Sequence, residues 1–176
     1  MRHAKGFTII ELLIVIVVIG ILAAITTVAF SGIQQRGRDA QRKSDVVAIT
    51  KALELYYLDN GQYPLGSGST AINASWSTTA DASWVNLKNQ LVPTYMSSLP
   101  SDPTNTQGVF VASSTNNYSY AYFGGGTYCG VSTTSRQMYI FVYRLESGAQ
   151  QDTLQGACTT APILGPYSAS NYRVVK

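Results

Sequence analysis

Charge is scarce in this chain of 176 residues. Asp, Glu, Lys and Arg together make up 12%, about half the roughly 25% of ordinary soluble domains. Twelve Lys and Arg against nine Asp and Glu leave a net charge of +3, too small an imbalance for a nucleic-acid-binding surface. Histidine occurs once, as His3, and cysteine twice, as Cys129 and Cys158. No histidine-based triad can be assembled from the body of such a chain, and no Cys/His zinc site fits it. The usual parts of an enzyme are missing. The length suits one domain with a core and is short for two.

What is present is unevenly distributed. Residues 1–6 are short and basic, carrying Arg2 and Lys5. Between residues 7 and 32 the only charge is Glu11, and residues 12–25 form an unbroken run of apolar side chains and glycine. Beyond Asn60 the chain is polar yet nearly uncharged, with Ser and Thr supplying 29 of the last 116 residues. Short hydroxyl side chains with many tyrosines fit an extracellular domain better than a cytosolic enzyme.

About 20 mostly apolar residues cross a bilayer core as a helix. Residues 7–32 number 26, enough to span with some tilt. A buried core helix is the poorer reading, because one small domain cannot surround such a segment. A cleavable Sec signal would use Arg2 and Lys5 as its basic region and Ala23 and Ala24 near its cut. Against it, Glu11 interrupts the junction of basic and apolar parts, and the helical pattern runs on past the cut. A carboxylate near the start of a span is costly unless it is partnered, which marks Glu11 as a functional residue. Snorkelling to the interface is the cheaper alternative.

The neighbours of Glu11 decide the matter. The stretch Lys5-Gly6-Phe7-Thr8-Ile9-Ile10-Glu11-Leu12-Leu13-Ile14-Val15 resembles the type IV pilin family, which includes prepilins and pseudopilins with a class III signal. A short basic leader ends in glycine, Phe follows, Glu stands four residues later, and a long apolar span begins. The resemblance implies cleavage between Gly6 and Phe7 by a prepilin peptidase and N-methylation of Phe7 by the same processing machinery. It also implies that Glu11 faces the positive N-terminus of a neighbouring Phe7 in a filament, since a buried carboxylate is costly alone and an incoming ammonium can pair with it. Removing Arg2 and Lys5 would leave ten cations against nine anions, a net +1. Two features depart from the family. Arg36, Arg38, Arg42 and Lys43 beyond the span outnumber Arg2 and Lys5, so the positive-inside rule alone would keep the body in the cytoplasm; the more specific leader places it outside. No proline precedes Pro64, whereas many pilins carry one late in the span.

From Ser31 the pattern becomes amphipathic. Val46, Ile49, Leu53 and Tyr56 recur at helical spacing and predict one buried face. The basic run Arg36, Arg38, Arg42 and Lys43, near Asp39 and Asp45, reads as a solvated helix surface, with binding of lipid headgroups or DNA as the alternative. The helix should stop at Asp59-Asn60-Gly61, where Asn or Gly can take a left-handed cap. Counted from Phe7 it has roughly 50 residues and a length on the order of 80 Å. A loop-rich stretch with the polar filler Ser77-Thr78-Thr79 follows. Trp84, Leu87 and Leu91 then predict a short helix started by Asp81 or Ser83 and ended before Pro93, and residues 99–103 read as a turn. Tyr63-Pro64 and the Leu-Pro-x-Asp-Pro segment add weaker likenesses to bacterial pilins and to the major pseudopilins of type II secretion.

Period-two alternation predicts strands further on. Tyr118, Tyr120 and Tyr122 share a face, and residues 138–145 form the strongest strand. Short strands near residues 127–131 and 172–175 would complete one antiparallel sheet. One face would pack on the outer half of the long helix, with tyrosine rings packed and their hydroxyls wet. Cys129 and Cys158, the only cysteines in an oxidising compartment, predict a disulfide closing a loop of about 30 residues and worth roughly 3–4 kcal/mol; two free buried thiols are the alternative. A comparable bridge fastens the C-terminal region in pilins. Asp102, Glu146 and Asp152 lack the ligand spacing of a calcium site, so no metal or cofactor is expected. The sequons at Asn73 and Asn117 carry little weight.

The sequence therefore predicts an α+β fold: a cleaved leader (1–6), an apolar membrane or filament-core helix (7–32), its amphipathic continuation (33–60) and a head with an antiparallel sheet (61–176). The expected function is structural, a subunit that polymerises through residues 7–32 into a surface type IV pilus serving adhesion, twitching motility or DNA uptake. A pseudopilin of a type II secretion system, or a minor pilin acting as a binding module, is the alternative. The implied partners are like subunits, the prepilin peptidase and methyltransferase, an assembly platform with its ATPase, and the cytoplasmic membrane before assembly.

Overall fold

The computed structural model describes residues 6–108, 118–125, 127–128, 131–132, 136–147 and 171–175. Its contacts divide the chain into two units, one ending at Gly37 and the other beginning at Arg38. The elements are α1 (Ile9–Asn60), β1 (Trp76–Thr78), α2 (Trp84–Leu91), β2 (Ala121–Phe123), β3 (Thr127–Tyr128), β4 (Val131–Ser132), β5 (Tyr139–Tyr143) and β6 (Asn171–Val175). The class is α+β, with one long N-terminal helix and a small antiparallel sheet.

The first unit is the apolar part of α1. Its side chains are exposed around the helix, Leu12 at 62%, Ile16 at 57% and Leu22 at 59%. A helix apolar all round needs lipid or other helices about it. Among the described residues it is the one helix long and apolar enough to cross a membrane. Thr26, a polar residue in this run, donates its hydroxyl to the Leu22 carbonyl at 2.7 Å, so the helix itself satisfies it.

In the second unit, α1 buries Asp39, Arg42, Val46, Ile49 and Leu53, residues spaced three and four apart along one face. Full burial of Ile49 or Leu53 contributes roughly 1.5–3 kcal/mol each. The helix ends as expected. Gly61 takes φ +65°, a value that favours glycine, and its N–H reaches the Tyr57 carbonyl at 2.8 Å. α2 also forms as expected and buries Trp84, Leu87 and Leu91. Ser83 precedes it without capping it, its own backbone being helical at φ −66° and ψ −18°, and its hydroxyl accepts the Thr78 N–H at 2.9 Å. Asp81 organises the approach to α2. One carboxylate oxygen accepts the Ser83 N–H at 2.8 Å, while the other accepts the Ser69 hydroxyl and the N–H groups of Thr70 and Ala71 at 2.8–2.9 Å.

The main sheet has the order β1-β2-β5-β6, antiparallel throughout. Ser77 stands opposite Tyr122, Tyr122 opposite Phe141, and Phe141 opposite Arg173. On one side, Tyr120, Tyr122, Tyr139, Phe141 and Tyr143 join Val46, Ile49, Leu53, Leu87 and Leu91 in a single core. The rings pack edge to face, tilted or stacked: Tyr63 on Tyr139 at 4.9 Å, Tyr120 on Phe141 at 5.7 Å and Tyr122 on Tyr139 at 6.0 Å between centroids.

Four expectations are corrected. Ser77-Thr78-Thr79 is not loop filler, since Ser77 and Thr78 lie in β1 and are fully buried. The segment near residues 127–131 does not join the main sheet; β3 and β4 pair only with each other. Neither is β5 buried on one face alone, because all five of its residues are buried. Nor are the tyrosine hydroxyls wet as a group. Tyr122 is buried and donates to the Pro64 carbonyl at 2.8 Å, and Tyr120 donates to Asp45 at 2.8 Å. The segment that supplies Pro64 runs close to β2, where the Gly66 N–H reaches the Gly124 carbonyl at 2.9 Å. A Cβ on Gly66 would sit 2.9 Å from the Gly124 nitrogen and from the Ser75 carbonyl, so glycine is required there.

The outward-facing groups of β1 are all occupied. The Trp76 N–H and carbonyl pair with the Asn73 carbonyl and the Ser69 N–H at 3.0 and 2.9 Å. The Thr78 N–H goes to Ser83, and its carbonyl accepts the Asp81 N–H at 3.4 Å.

Candidate functional site

The residues expected to govern processing and assembly lie at the start of the first unit. Gly6 and Phe7 precede the helix and are exposed, Phe7 at 88%. A Cβ on Gly6 would meet nothing within 4 Å, so this chain's own packing does not demand glycine there; any demand comes from whatever reads the position. Glu11 is the acidic residue of the first turn, where the helix dipole favours negative charge. Its carboxylate accepts the Thr8 N–H and the Thr8 hydroxyl, both at 2.8 Å, and the Glu11 N–H in turn reaches the Thr8 hydroxyl oxygen at 3.3 Å. This reciprocal pair is a capping box, which satisfies backbone donors that a helix start otherwise leaves open.

Thr8 is the residue that reading the sequence for a leader passed over. Its signal was present all the same, because Thr-x-x-Glu before an apolar run is the capping-box pattern. The pairing has a chemical consequence. The exposed Glu11 carboxylate is held in place by hydrogen bonds from a neutral partner, so its charge is oriented without being neutralised. Such a carboxylate is a pre-positioned acceptor for a cation.

The basic run further along α1 behaves differently from the solvated face expected of it. Arg36 and Lys43 are exposed, but the Arg42 side chain is completely buried, and that of Arg38 is 35% exposed. Arg42 forms ion pairs with Asp39 at 2.9 Å, Asp102 at 2.7 Å and Glu146 at 2.8 Å. Arg38 adds a second hold on Glu146 through its Nε at 2.7 Å. The Tyr118 ring lies against the Arg42 guanidinium, whose Cζ is 4.8 Å from the ring centroid, a cation–π contact.

The electrostatics follow from that geometry. Burial raises the Asp39 carboxyl, but the N–H groups of Glu146 and Ser147, with Arg42, hold it below its ordinary range. The Arg38 hydrogen bond, against burial and with help from Arg42, lowers Glu146. Burial disfavours the charge on Arg42, and the bonds to Asp102 and Glu146 outweigh it, leaving its pKa raised.

Two of the carboxylates weighed for calcium, Asp102 and Glu146, are therefore brought together, but on a guanidinium. Asp152 lies outside the described residues, as do Cys129 and Cys158 and the bridge expected between them. No group of three or more metal-ligating side chains with room for an ion occurs among the described residues.

Comparison with known proteins places these features in a family. Residues 1–27 match the family model described as the prokaryotic N-terminal methylation motif. Residues 30–138, more than half of the chain, match the model for type II secretion system protein G. Among curated relatives, type II secretion system core protein G of Klebsiella pneumoniae is 31% identical over 103 residues, covering 58% of this chain and 71% of that protein. The core proteins G of Aeromonas hydrophila and of Escherichia coli are each 40% identical, over 63 and 60 residues. Those two alignments cover 36% and 34% of this chain, and the chain spans 44% and 41% of the relatives' lengths. No solved structure matches significantly. The apolar helix together with the methylation motif marks the chain as membrane-anchored through its N-terminus. The match over residues 30–138 and the coverage of the Klebsiella protein establish that the chain belongs to the type II secretion system protein G family.

Proposed function

We propose that the chain is a pseudopilin-type subunit: a membrane-stored precursor, cut between Gly6 and Phe7, that polymerises through residues 7–32 into the short filament of a type II secretion system. Family membership favours this over the surface pilus that the sequence first suggested, and the relatives named above are all secretion proteins. The role is structural, and the chain supplies no catalysis. Phe7 would carry the N-methyl group after cleavage. Residues 33–60 continue the helix into the head, residues 61–176. Cys129 and Cys158 would bridge within that head once it reaches an oxidising compartment.

The observation that carries the reading is the exposed Glu11 carboxylate at the mouth of an apolar helix, held toward the N-terminal end by Thr8. Cleavage turns Phe7 into an ammonium, and the Phe7 of an adjacent subunit can then pair with Glu11 as the helices leave the bilayer. The partners are like subunits, the prepilin peptidase and methyltransferase, and an inner-membrane assembly platform with its ATPase.

Three measurements test this. Mass spectrometry of the mature chain should find methylated Phe7 at its N-terminus. Glu11→Ala should be cleaved normally yet lose filament formation and secretion; normal secretion by this variant would sink the pairing. Dominance of the chain in sheared surface filaments, with secretion unaffected by its deletion, would return the reading to a type IV pilus.

A further inference from the structure

Three stretches far apart in sequence meet on the Arg42 side chain. All five of its N–H groups are used. Nε donates to Asp102 at 2.7 Å, Nη1 to Asp39 and Glu146 at 2.9 and 2.8 Å, and Nη2 to Asp102 and Thr104 at 3.0 and 2.9 Å. The carboxylates then hold backbone. Asp102 accepts the N–H groups of Thr104 and Asn105 at 2.8 and 3.2 Å, and Asp39 accepts those of Glu146 and Ser147 at 2.9 and 3.0 Å. Residues 102–105 and 146–147 are thus each tied to a carboxylate, and one buried guanidinium balances both ties.

We propose that Arg42 couples these two loops, so that opening either one weakens the closure of the other. Two effects produce the coupling. The bidentate grip of Asp102 on Nε and Nη2 fixes the plane of the guanidinium, and that plane aims Nη1 at Asp39 and Glu146. Opening residues 102–105 also admits water to a side chain that is otherwise fully buried, and water weakens its remaining charge-assisted bonds. A third effect opposes them. Together with Arg38 the cluster holds two cations and three anions, so losing one anion relieves repulsion between the others. Orientation and dryness prevail because the opposing charges are already bridged by shared donors. The inference is independent of the filament reading and goes beyond it: a partner engaging either loop would be felt at the other.

The test is amide hydrogen exchange on the full chain in detergent micelles. Asp102→Ala should speed exchange at Glu146 and Ser147 by about fivefold or more, and Asp39→Ala should do the same at Thr104 and Asn105 by a similar factor, since coupling free energies are reciprocal. In an Arg42→Met background the cross-effect should vanish. Exchange at Phe141 and Val142 in β5 separates local opening from global unfolding. If Asp102→Ala unfolds the head, the milder Thr104→Val, which removes one Nη2 bond, is read at the same two amides. Unchanged or slower exchange at the remote loop in a folded variant overturns the coupling.

Discussion

Arg42 and Asp81 show how much a single charged side chain can organise in a chain with so few of them. Replacing Arg42 by Met should cost roughly 3–5 kcal/mol in denaturant unfolding, since it leaves the buried Asp39 and Asp102 without a cation and Glu146 with Arg38 alone. Arg42→Lys should recover only part of that. A lysine offers a point charge and cannot present the planar fork on which Asp102, Asp39 and Glu146 converge. Full recovery by Lys would show that charge alone suffices.

Asp81 gives a pH-dependent case. Burial raises its carboxyl, but hydrogen bonds from Ser83 and from the N–H of Ala71 outweigh burial and bring it to about 2, against 3.8 for a free Asp. A depressed folded-state pKa adds stability that is fully present above 3.8 and lost as pH falls toward 2. Wild type should therefore lose stability through that interval, and Asp81→Asn should show a flatter profile in acid unfolding followed by circular dichroism. At this scale the sequence is legible where the partners are near neighbours in the chain, as Thr8 and Glu11 are. The Arg42 cluster is not, because Asp102 and Glu146, two of its three carboxylates, lie 60 and 104 residues away.

Among the elements, α1 and α2 were readable because helical periodicity over many turns is a strong signal. The same periodicity, followed backward from Val46, reaches Arg42 and Asp39. Their charge made them look like surface, yet they occupy the buried stripe. β1 was hidden for a different reason: three residues are too short to show alternation, and hydroxyl side chains resemble a loop. Burial on both faces hid the environment of β5, where alternation of apolar types cannot separate inner from outer positions.

Tyr122 tests whether the sheet's hydroxyls contribute. Tyr122→Phe should leave the Pro64 carbonyl without its donor and cost about 1 kcal/mol, seen as a lower urea midpoint with an unchanged slope. An unaltered midpoint would mean that the bond is energetically neutral.

The whole molecule divides at Gly37 and Arg38, and the two units meet opposite physical demands. The first leaves its apolar side chains uncovered, while the second buries charge as well as apolar surface. The full chain should accordingly need detergent or lipid to stay dispersed. Gel filtration with and without detergent should give a defined species only in its presence. A monodisperse chain in plain buffer would contradict the membrane-anchored reading. Composition averaged over both units concealed this division, since 12% charge and net +3 describe neither of them.

The occupied outer edge of β1 has its own consequence. An open strand edge is a template on which another chain can add itself by backbone pairing. Here the N–H and carbonyl groups of Trp76 and Thr78 are already spent on Asn73, Ser69, Ser83 and Asp81. Copies of this chain thus have no cross-β route to aggregation along that side.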